Sequence, residues 1–299
     1  NKDENILELI AKKAKIIIEN YFGKVILLYA PLYISNYCVN KCLYCGFSLL
    51  NEKGKRKKLT IEEIESEMLY LKQKGFDIIL ILTGEDRNFS PVKYIGDSIK
   101  IARKYFSEIF IEVYALTLDE YKYLVDLGLT GVTIYQETYD ESLYDKLHIS
   151  GPKKHYKFRL EAPERAIKAG VKEINIGCLL GLNKNFLKDV YLTSIHANYL
   201  QSTYPNVEIS ISYPRIKPAE APIKFETIVS DIDFVRIITS TRIFLPRVGL
   251  NISTREEPFI RDNLIGLGIT KMSAESKTTV GGYYYSVKNT EQFEVCDKR

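Results

Sequence analysis

The chain has 299 residues, of which 45% are hydrophobic and 27% charged, the composition of a globular protein with a sizeable core. A net charge of +4 is too small to indicate a nucleic-acid partner, and no apolar run approaches the roughly 18 residues that span a membrane. Five cysteines, three of them packed into one short segment, do not form a disulfide framework, so we expect a protein of the reducing cytoplasm.

Predicted helices and strands alternate along the whole chain. An opening helix at 5–21 precedes strands at 25–29, 77–82, 109–114, 131–135, 173–178, 207–212, 249–253 and 270–273. Helical patterns at 61–73, 92–105, 118–127, 158–169, 187–200, 231–243 and 260–267 lie between the strands. Such alternation predicts a parallel sheet, and eight repeats predict an α/β fold of the closed (β/α)8 TIM-barrel type.

The predicted domain division is an N-terminal helical extension at residues 1–24 and a barrel at residues 25–299. No helical pattern follows the last predicted strand. We therefore expect the C-terminal end of the barrel to lie beyond Arg299.

Cys38, Cys42 and Cys45 follow the first predicted strand, with three and two residues between them. One tight loop can present three thiolates to a [4Fe–4S] cluster and leave one iron open. Structural zinc usually has four ligands in paired units, and Cys178 and Cys296 are isolated. The motif therefore predicts a cluster whose open iron binds S-adenosylmethionine (SAM). The cluster would lie at the carboxyl end of the strands, where TIM-barrel enzymes place their active sites.

Polar residues also follow other predicted strands and should share that face of the barrel. Glu85 follows the second strand and Glu137 the fourth, while Arg159 and Glu161 open the next helix. Taken singly, each also fits a solvated turn or a salt-bridged helix surface. Their common placement is what indicates a ligand site.

The last three strands end in arginines and hydroxyls, including Arg215, Arg255 and Ser273. A guanidinium can hold a ligand carboxylate through two hydrogen bonds, although each arginine alone also fits a structural salt bridge. Leu180 lies in an apolar stretch after the fifth strand that suits packing against a flat ring. Cys178 in that stretch is interpreted as a small buried hydrophobe.

Three further features leave alternatives open. The basic block at 53–58 is either a solvated loop or a surface for an anionic partner. Either Glu112 or Tyr114, at the end of the third strand, faces the barrel interior. The three histidines lie away from the strand ends and are interpreted as structural.

The chain resembles the 2-iminoacetate synthase family, the tyrosine lyases of thiazole biosynthesis, within the radical SAM aromatic amino-acid lyases. The likeness extends from the opening helix to Arg299. It rests on the segments APLYISNYCVNKCLYCGFS, TGE, VYALTLDEY, GVTIYQETY, FRLEAPERA, GLGITKMSA and STREEPFIRD. The first segment is specific to this group, whereas TGE and YQETY are shared more widely.

The resemblance implies a radical SAM (β/α)8 barrel with a [4Fe–4S] cluster and SAM as cofactors. It also implies roles for individual residues. These are Cys38, Cys42 and Cys45 as cluster ligands; Tyr44 and Leu180 near the SAM adenine; Glu85 at the SAM amino group; Glu137 at its amino or ribose side; Arg159 at its carboxylate; and Arg255, Ser273 and Tyr33 at the amino-acid substrate.

The implied activity is cleavage of the Cα–Cβ bond of L-tyrosine to 2-iminoacetate (dehydroglycine) and p-cresol, begun by hydrogen abstraction from the amino nitrogen. The implied partners are a flavodoxin or ferredoxin type of reductant and a thiazole synthase subunit, with neither nucleic acid nor membrane.

Other activities fit parts of the same pattern. A hydrogenase-maturation tyrosine lyase, which makes carbon monoxide and cyanide, shares the first half-reaction but has a second cluster bound by C-terminal cysteines. No C-x2-C pair follows Cys45. The segments TGE, EVYAL and FRLEAPERA are more similar to the thiazole enzyme. A tryptophan lyase is a third alternative. A non-catalytic iron–sulfur or zinc scaffold protein would leave the polar strand ends unexplained.

Overall fold

A computed structural model describes residues 4–225, 228–285 and 288–299. Eight parallel strands close into a barrel in chain order, with β8 pairing back onto β1. The strands are β1 Leu27–Ser35, β2 Ile78–Thr83, β3 Glu108–Glu112, β4 Gly131–Glu137, β5 Glu173–Cys178, β6 Glu208–Ser212, β7 Gly249–Ile252 and β8 Lys271–Ser273.

Helices surround the barrel on its outer side. They are α1 Glu4–Phe22, α2 Ile61–Gln73, α3 Val92–Ala102, α4 Leu118–Asp126, α5 Glu141–Leu147, α6 Tyr156–Leu160, α7 Ala162–Ala169, α8 Phe186–Thr203, α9 Asp231–Phe244 and α10 Pro258–Leu264. The predicted (β/α)8 fold is confirmed. In the described part of the chain after β8 there is no helix.

Local sequence explains where several helices begin and end. Thr60 with Glu63, and Thr117 with Glu120, form reciprocal capping boxes at the starts of α2 and α4. α7 ends at Gly170, whose φ of 105° is a left-handed conformation that glycine adopts without strain. These caps fix the lengths of the helices and hence the strand ends that follow.

Several predicted boundaries differ from the structure, and two of the differences change how the elements are described. β1 extends to Ser35 rather than to residue 29. Beyond Tyr29 the strand pairs with β2 alone, so one of its edges has no neighbouring strand and Pro31, which lacks an N–H, is tolerated there. The predicted helix 158–169 is two helices that meet at Glu161, since Pro163 has no N–H and begins a new helix. The first correction places Tyr33 on a strand rather than in a loop.

The N-terminal helix α1 packs against α9 on the outside of the barrel. Phe22, its last residue, lies beneath the guanidinium of Arg242, 4.7 Å from the ring centroid. Among the helices of the described residues, none has the length and apolar character needed to cross a bilayer. The division of the chain at residue 24 stays a prediction.

Candidate active site

The loop that carries the three clustered cysteines joins β1 to α2. Arg56 braces this loop, since its guanidinium donates hydrogen bonds to the backbone carbonyls of Asn36 and Phe47 at 2.9 Å and of Ser48 at 2.7 Å. One residue of the basic block therefore has a structural role. The loop is fixed at both ends, which keeps its cysteines in place.

Cys38, Cys42 and Cys45 line one open cavity at the carboxyl end of the strands, which encloses about 610 Å³ including its mouth. All three are free thiols. Burial raises the pKa of each, to about 11 for Cys45, so iron binding must displace their protons. Within the described residues, no group of three or more His, Cys, Asp or Glu side chains is placed to hold a single metal ion.

Asn40 joins the cysteine loop to two neighbouring loops. Its Nδ2 donates to Glu85 Oε2 at 2.6 Å and lies 3.7 Å from Cys38 Sγ, while its Oδ1 accepts from the backbone N–H of Lys153 at 2.9 Å. Gly151 packs on the same side chain so closely that a Cβ would lie 2.2 Å from Asn40 Oδ1. This contact requires glycine at position 151.

A buried charge cluster forms the opposite wall of the cavity. Lys153 Nζ donates to Glu137 Oε1 at 2.7 Å, and Arg159 lies 3.7 Å from the same oxygen. Burial favours the neutral acid, but the two cations outweigh it and keep the pKa of Glu137 below its ordinary value. Glu137 also has a φ of 70°, a costly conformation for a residue with a Cβ. The fold thus holds this carboxylate charged at the end of β4.

Tyr44 and Leu180, which the resemblance places near the SAM adenine, do not line this cavity. Tyr44 is buried behind the cysteines, where its hydroxyl bonds His148 Nε2 at 2.8 Å. Leu180 lies in the barrel core, 1% exposed, and its backbone bridges to Arg215. Leu179, rather than Leu180, packs in the apolar cluster around Tyr44. Neither Tyr44 nor Leu180 is part of the cavity wall.

His148 has a structural place beside the cysteine loop. Its backbone pairs with Cys42, and burial lowers its pKa to about 3, so the ring is neutral. The histidine is 103 positions after Cys45 in the chain, and only the fold brings the two segments together.

A second cavity adjoins the first and encloses about 480 Å³. Arg255, Ser273 and Tyr33, the three residues that the resemblance places at the substrate, all line it. Within the described residues the guanidinium of Arg255 forms no ion pair. Arg215 differs, because Glu256 and Asp231 pair with it, so it is a structural salt bridge. Arg255 is the arginine that remains available to a ligand carboxylate.

Two residues near the end of the described chain line the cavities, Gln292 on both and Phe293 on the second. Gln292 accepts a hydrogen bond from the Tyr33 hydroxyl at 2.6 Å, and the Phe293 ring stacks on Arg255, with its centroid 3.3 Å from Cζ. The backbone of Gly46 packs against the segment formed by residues 290–294 (the C-terminal segment), so that a Cβ would lie 2.3 Å from Glu291 O. Gln292 and Phe293 therefore belong to the site.

Lys153, Gln292 and Phe293 were not predicted from the sequence. Lys153 follows Gly151-Pro152, a turn signal that marks a close approach but does not identify the neighbour. Gln292 lies 259 positions from Tyr33, and no periodic pattern surrounds it.

The residues of the first cavity fit an iron–sulfur cluster with SAM. Three thiols can each bind one iron of a four-iron cluster. Such a cluster therefore does not require the three side chains to coordinate the same metal ion. Beside them, Glu85, Glu137 and Arg159 offer both signs of charge, which a free amino-acid end such as that of SAM requires. A space of several hundred Å³ is the size of a small-molecule site.

A closed parallel barrel with three thiols at its carboxyl end defines the class of radical SAM enzymes. The family model described as the Radical SAM superfamily matches residues 32–192, and that of the Biotin and Thiamin Synthesis associated domain matches residues 212–299. The chain is 38% identical to the 2-iminoacetate synthase of Escherichia coli (strain K12), over 98% of this chain and 78% of the relative. The chain belongs to the radical SAM superfamily and, within it, to the family of the 2-iminoacetate synthases.

Two solved structures share this fold along the whole chain. The crystal structure of HydG, a maturase of the [FeFe]-hydrogenase, superimposes with a TM-score of 0.93 at 37% identity, over 100% of this chain and 66% of the other. The maturase HydG from Carboxydothermus hydrogenoformans gives 0.92 at 34% identity, over 100% of this chain and 69% of the other. The chain thus spans about two thirds of each maturase.

Proposed function

We propose that this enzyme cleaves the Cα–Cβ bond of L-tyrosine, giving 2-iminoacetate and p-cresol for thiazole biosynthesis. The family assignment at 38% identity supports the reaction. The observation that carries the proposal is the shared wall of the two cavities. Tyr33, Leu82, Glu112 and Gln292 line both, so a ligand in one lies directly beside a ligand in the other.

When bound, the reduced cluster supplies the electron that cleaves SAM and starts radical chemistry. The chain's own residues orient the reactants. Glu85, Glu137 and Arg159 hold the amino-acid end of SAM by charge, while Arg255 binds the carboxylate of tyrosine. Ser273 and Tyr33 line the same substrate cavity. The C-terminal segment, whose Gln292 and Phe293 line the cavities, keeps water from the reacting atoms.

The test is anaerobic reconstitution with iron and sulfide, followed by assay with SAM, dithionite and tyrosine. We expect about four irons per chain and p-cresol that accumulates with tyrosine, but no cleavage of tryptophan. Cys42→Ala should lose the iron and the activity. Cys296→Ala is the matched control and should keep both, since Cys296 does not line the cavity of the three cysteines.

Methionine release without p-cresol would contradict the tyrosine assignment, and zinc in place of iron would contradict the cluster. The likeness to the maturase structures makes a hydrogenase-maturation lyase the second candidate. It predicts carbon monoxide among the products, which haemoglobin added to the assay reports. 2-Iminoacetate, or the glyoxylate formed by its hydrolysis, without carbon monoxide supports the thiazole enzyme.

The proposed partners are L-tyrosine, a flavodoxin or ferredoxin type of reductant and a thiazole synthase subunit. The proposed location is the cytoplasm, which keeps thiols such as these five reduced. Pull-down experiments with reduced flavodoxin and with thiazole synthase check the two protein partners. A partner that is not retained by this protein would be removed from the proposal.

A further inference from the structure

Glu112 is the acidic residue at the passage between the two cavities. It ends β3, where it pairs in register with Leu82 of β2. Its side chain lines both the first cavity, which contains the three cysteines (the thiol cavity), and the second cavity, which contains Arg255 (the arginine cavity). The other two carboxylates of the thiol cavity already have hydrogen-bond partners, since Glu85 accepts a hydrogen bond from Asn40 and Glu137 accepts one from Lys153. Within the described residues the carboxylate of Glu112 accepts no hydrogen bond.

Charged groups face Glu112 from several elements. Arg255 follows β7 on the side of the arginine cavity, while Glu137 at the end of β4, together with Lys153 and Arg159, faces it from the thiol cavity. Burial, reinforced by Glu137, raises the pKa of Glu112 to about 7 despite the opposing cations. An acid of this kind exchanges a proton near neutral pH.

We propose that Glu112 binds the ammonium group of the amino-acid substrate and accepts one proton from it. The inference rests on the proposed function and adds a role for this residue. An amino acid carries its nitrogen one carbon away from its carboxylate. Because Arg255 holds the carboxylate, the nitrogen comes to lie on the side where Glu112 opens towards the SAM cavity.

The proton transfer is balanced. One N–H bond of the ammonium breaks, its electron pair stays on nitrogen, and the proton forms an O–H bond on the Glu112 carboxylate. The products are a neutral amine and a neutral acid, with no change in oxidation state. The amine then presents an N–H bond to the cavity in which hydrogen abstraction occurs.

Binding to two ligands that differ only in the amino group tests the contact. L-tyrosine and 3-(4-hydroxyphenyl)propionate are titrated into the reconstituted, SAM-bound enzyme, with wild-type protein and Glu112→Gln compared. The wild type should prefer tyrosine, and the variant should lose at least about tenfold of that preference. Glu108→Gln, at the other end of β3, removes the same charge and should leave the preference unchanged.

The pH profile tests the proton transfer. Wild-type kcat should rise through pH about 7 and then level off, whereas the slower Glu112→Gln should keep rising above about pH 8 as solvent base replaces the carboxylate. Equal weakening of both ligands, or weaker SAM binding with unchanged preference, would overturn the inference. Absence of tyrosine binding and of p-cresol in the wild type would instead contradict the proposed function.

Discussion

At the scale of single residues, the site differs from the rest of the barrel in how its charges are compensated. Lys271 and Glu173 pair at 2.7 Å in the barrel interior, and Arg261 is paired with Asp297. Glu112 and Arg255 instead lie at the cavities without a hydrogen-bonded partner for either charge. Half-buried charges left in this way cost stability, and a ligand that satisfies both recovers it.

Glu112→Gln should therefore stabilise the ligand-free enzyme in a pH-dependent way. The pKa of Glu112 is raised to about 7, so its contribution is favourable at low pH and is lost as pH rises through 7. Relative to wild type, the variant should gain about 2 kcal/mol between pH 5 and pH 8, after allowance for partial access of cavity water. Anaerobic thermal melts at both pH values measure this, and a difference independent of pH would contradict it.

Lys153→Met should damage both stability and SAM binding. It leaves Glu137 with the more distant Arg159 as its cation, and breaking a buried pair costs about 3–5 kcal/mol. Titration with SAM should show at least a tenfold loss of affinity. Lys154→Met is the matched control, because its pair with Asp145 is at the surface and is worth about 0–1 kcal/mol. Equal effects of the two substitutions would remove Lys153 from the site.

At the scale of elements, local signals were sufficient to predict the closed barrel but not the full length of β1 or the segment that packs on the cysteine loop. Alternating patterns predicted all eight strands, and the helical pattern at 61–73 coincides with α2. The end of β1 was missed because the tolerance for Pro31 depends on which edge of the strand is paired. The segment at 290–294 was missed because its contacts with the cysteine loop are long-range and follow no periodicity.

The same reasoning applies to the predicted site residues. The placement of the cysteines, Glu85, Glu137, Arg159 and Arg255 around two adjoining cavities could be predicted, because a parallel barrel gathers the loops that follow its strands on one face. The sequence could not predict which arginine stays unpaired, because that depends on Glu256 and Asp231 forming their ion pairs with Arg215 rather than with Arg255. The apolar neighbours of Tyr44 likewise depend on packing that leaves no mark in the sequence.

Gly46→Ala tests the contact between the cysteine loop and the C-terminal segment. The new Cβ would meet Glu291 O at 2.3 Å, so residues 290–294 must move away. We expect faster hydrogen exchange in that segment and increased uncoupled cleavage of SAM as water enters. Gly266→Ala is the control, because nothing lies within 4 Å of its Cβ position. Unchanged exchange in Gly46→Ala would show that the segment does not depend on this contact.

At the scale of the whole molecule, the barrel serves to bring two ligand sites side by side. Cysteines from the loop after β1 and charges from the ends of β2 and β4 form one site, while the ends of β7 and β8 form the other. A continuous closed sheet fixes the distance between them, because no edge strand is free to shift. This arrangement is what a radical generated on one ligand needs in order to react with a second.

The central claim is that the amino nitrogen of tyrosine lies at the shared wall of the two cavities. Mass spectrometry of 5′-deoxyadenosine formed during tyrosine cleavage in D2O tests it most directly, since hydrogens on nitrogen exchange with solvent and those on carbon do not. The account predicts 5′-deoxyadenosine that carries a single deuterium and forms together with p-cresol. Unlabelled 5′-deoxyadenosine formed together with p-cresol would contradict it.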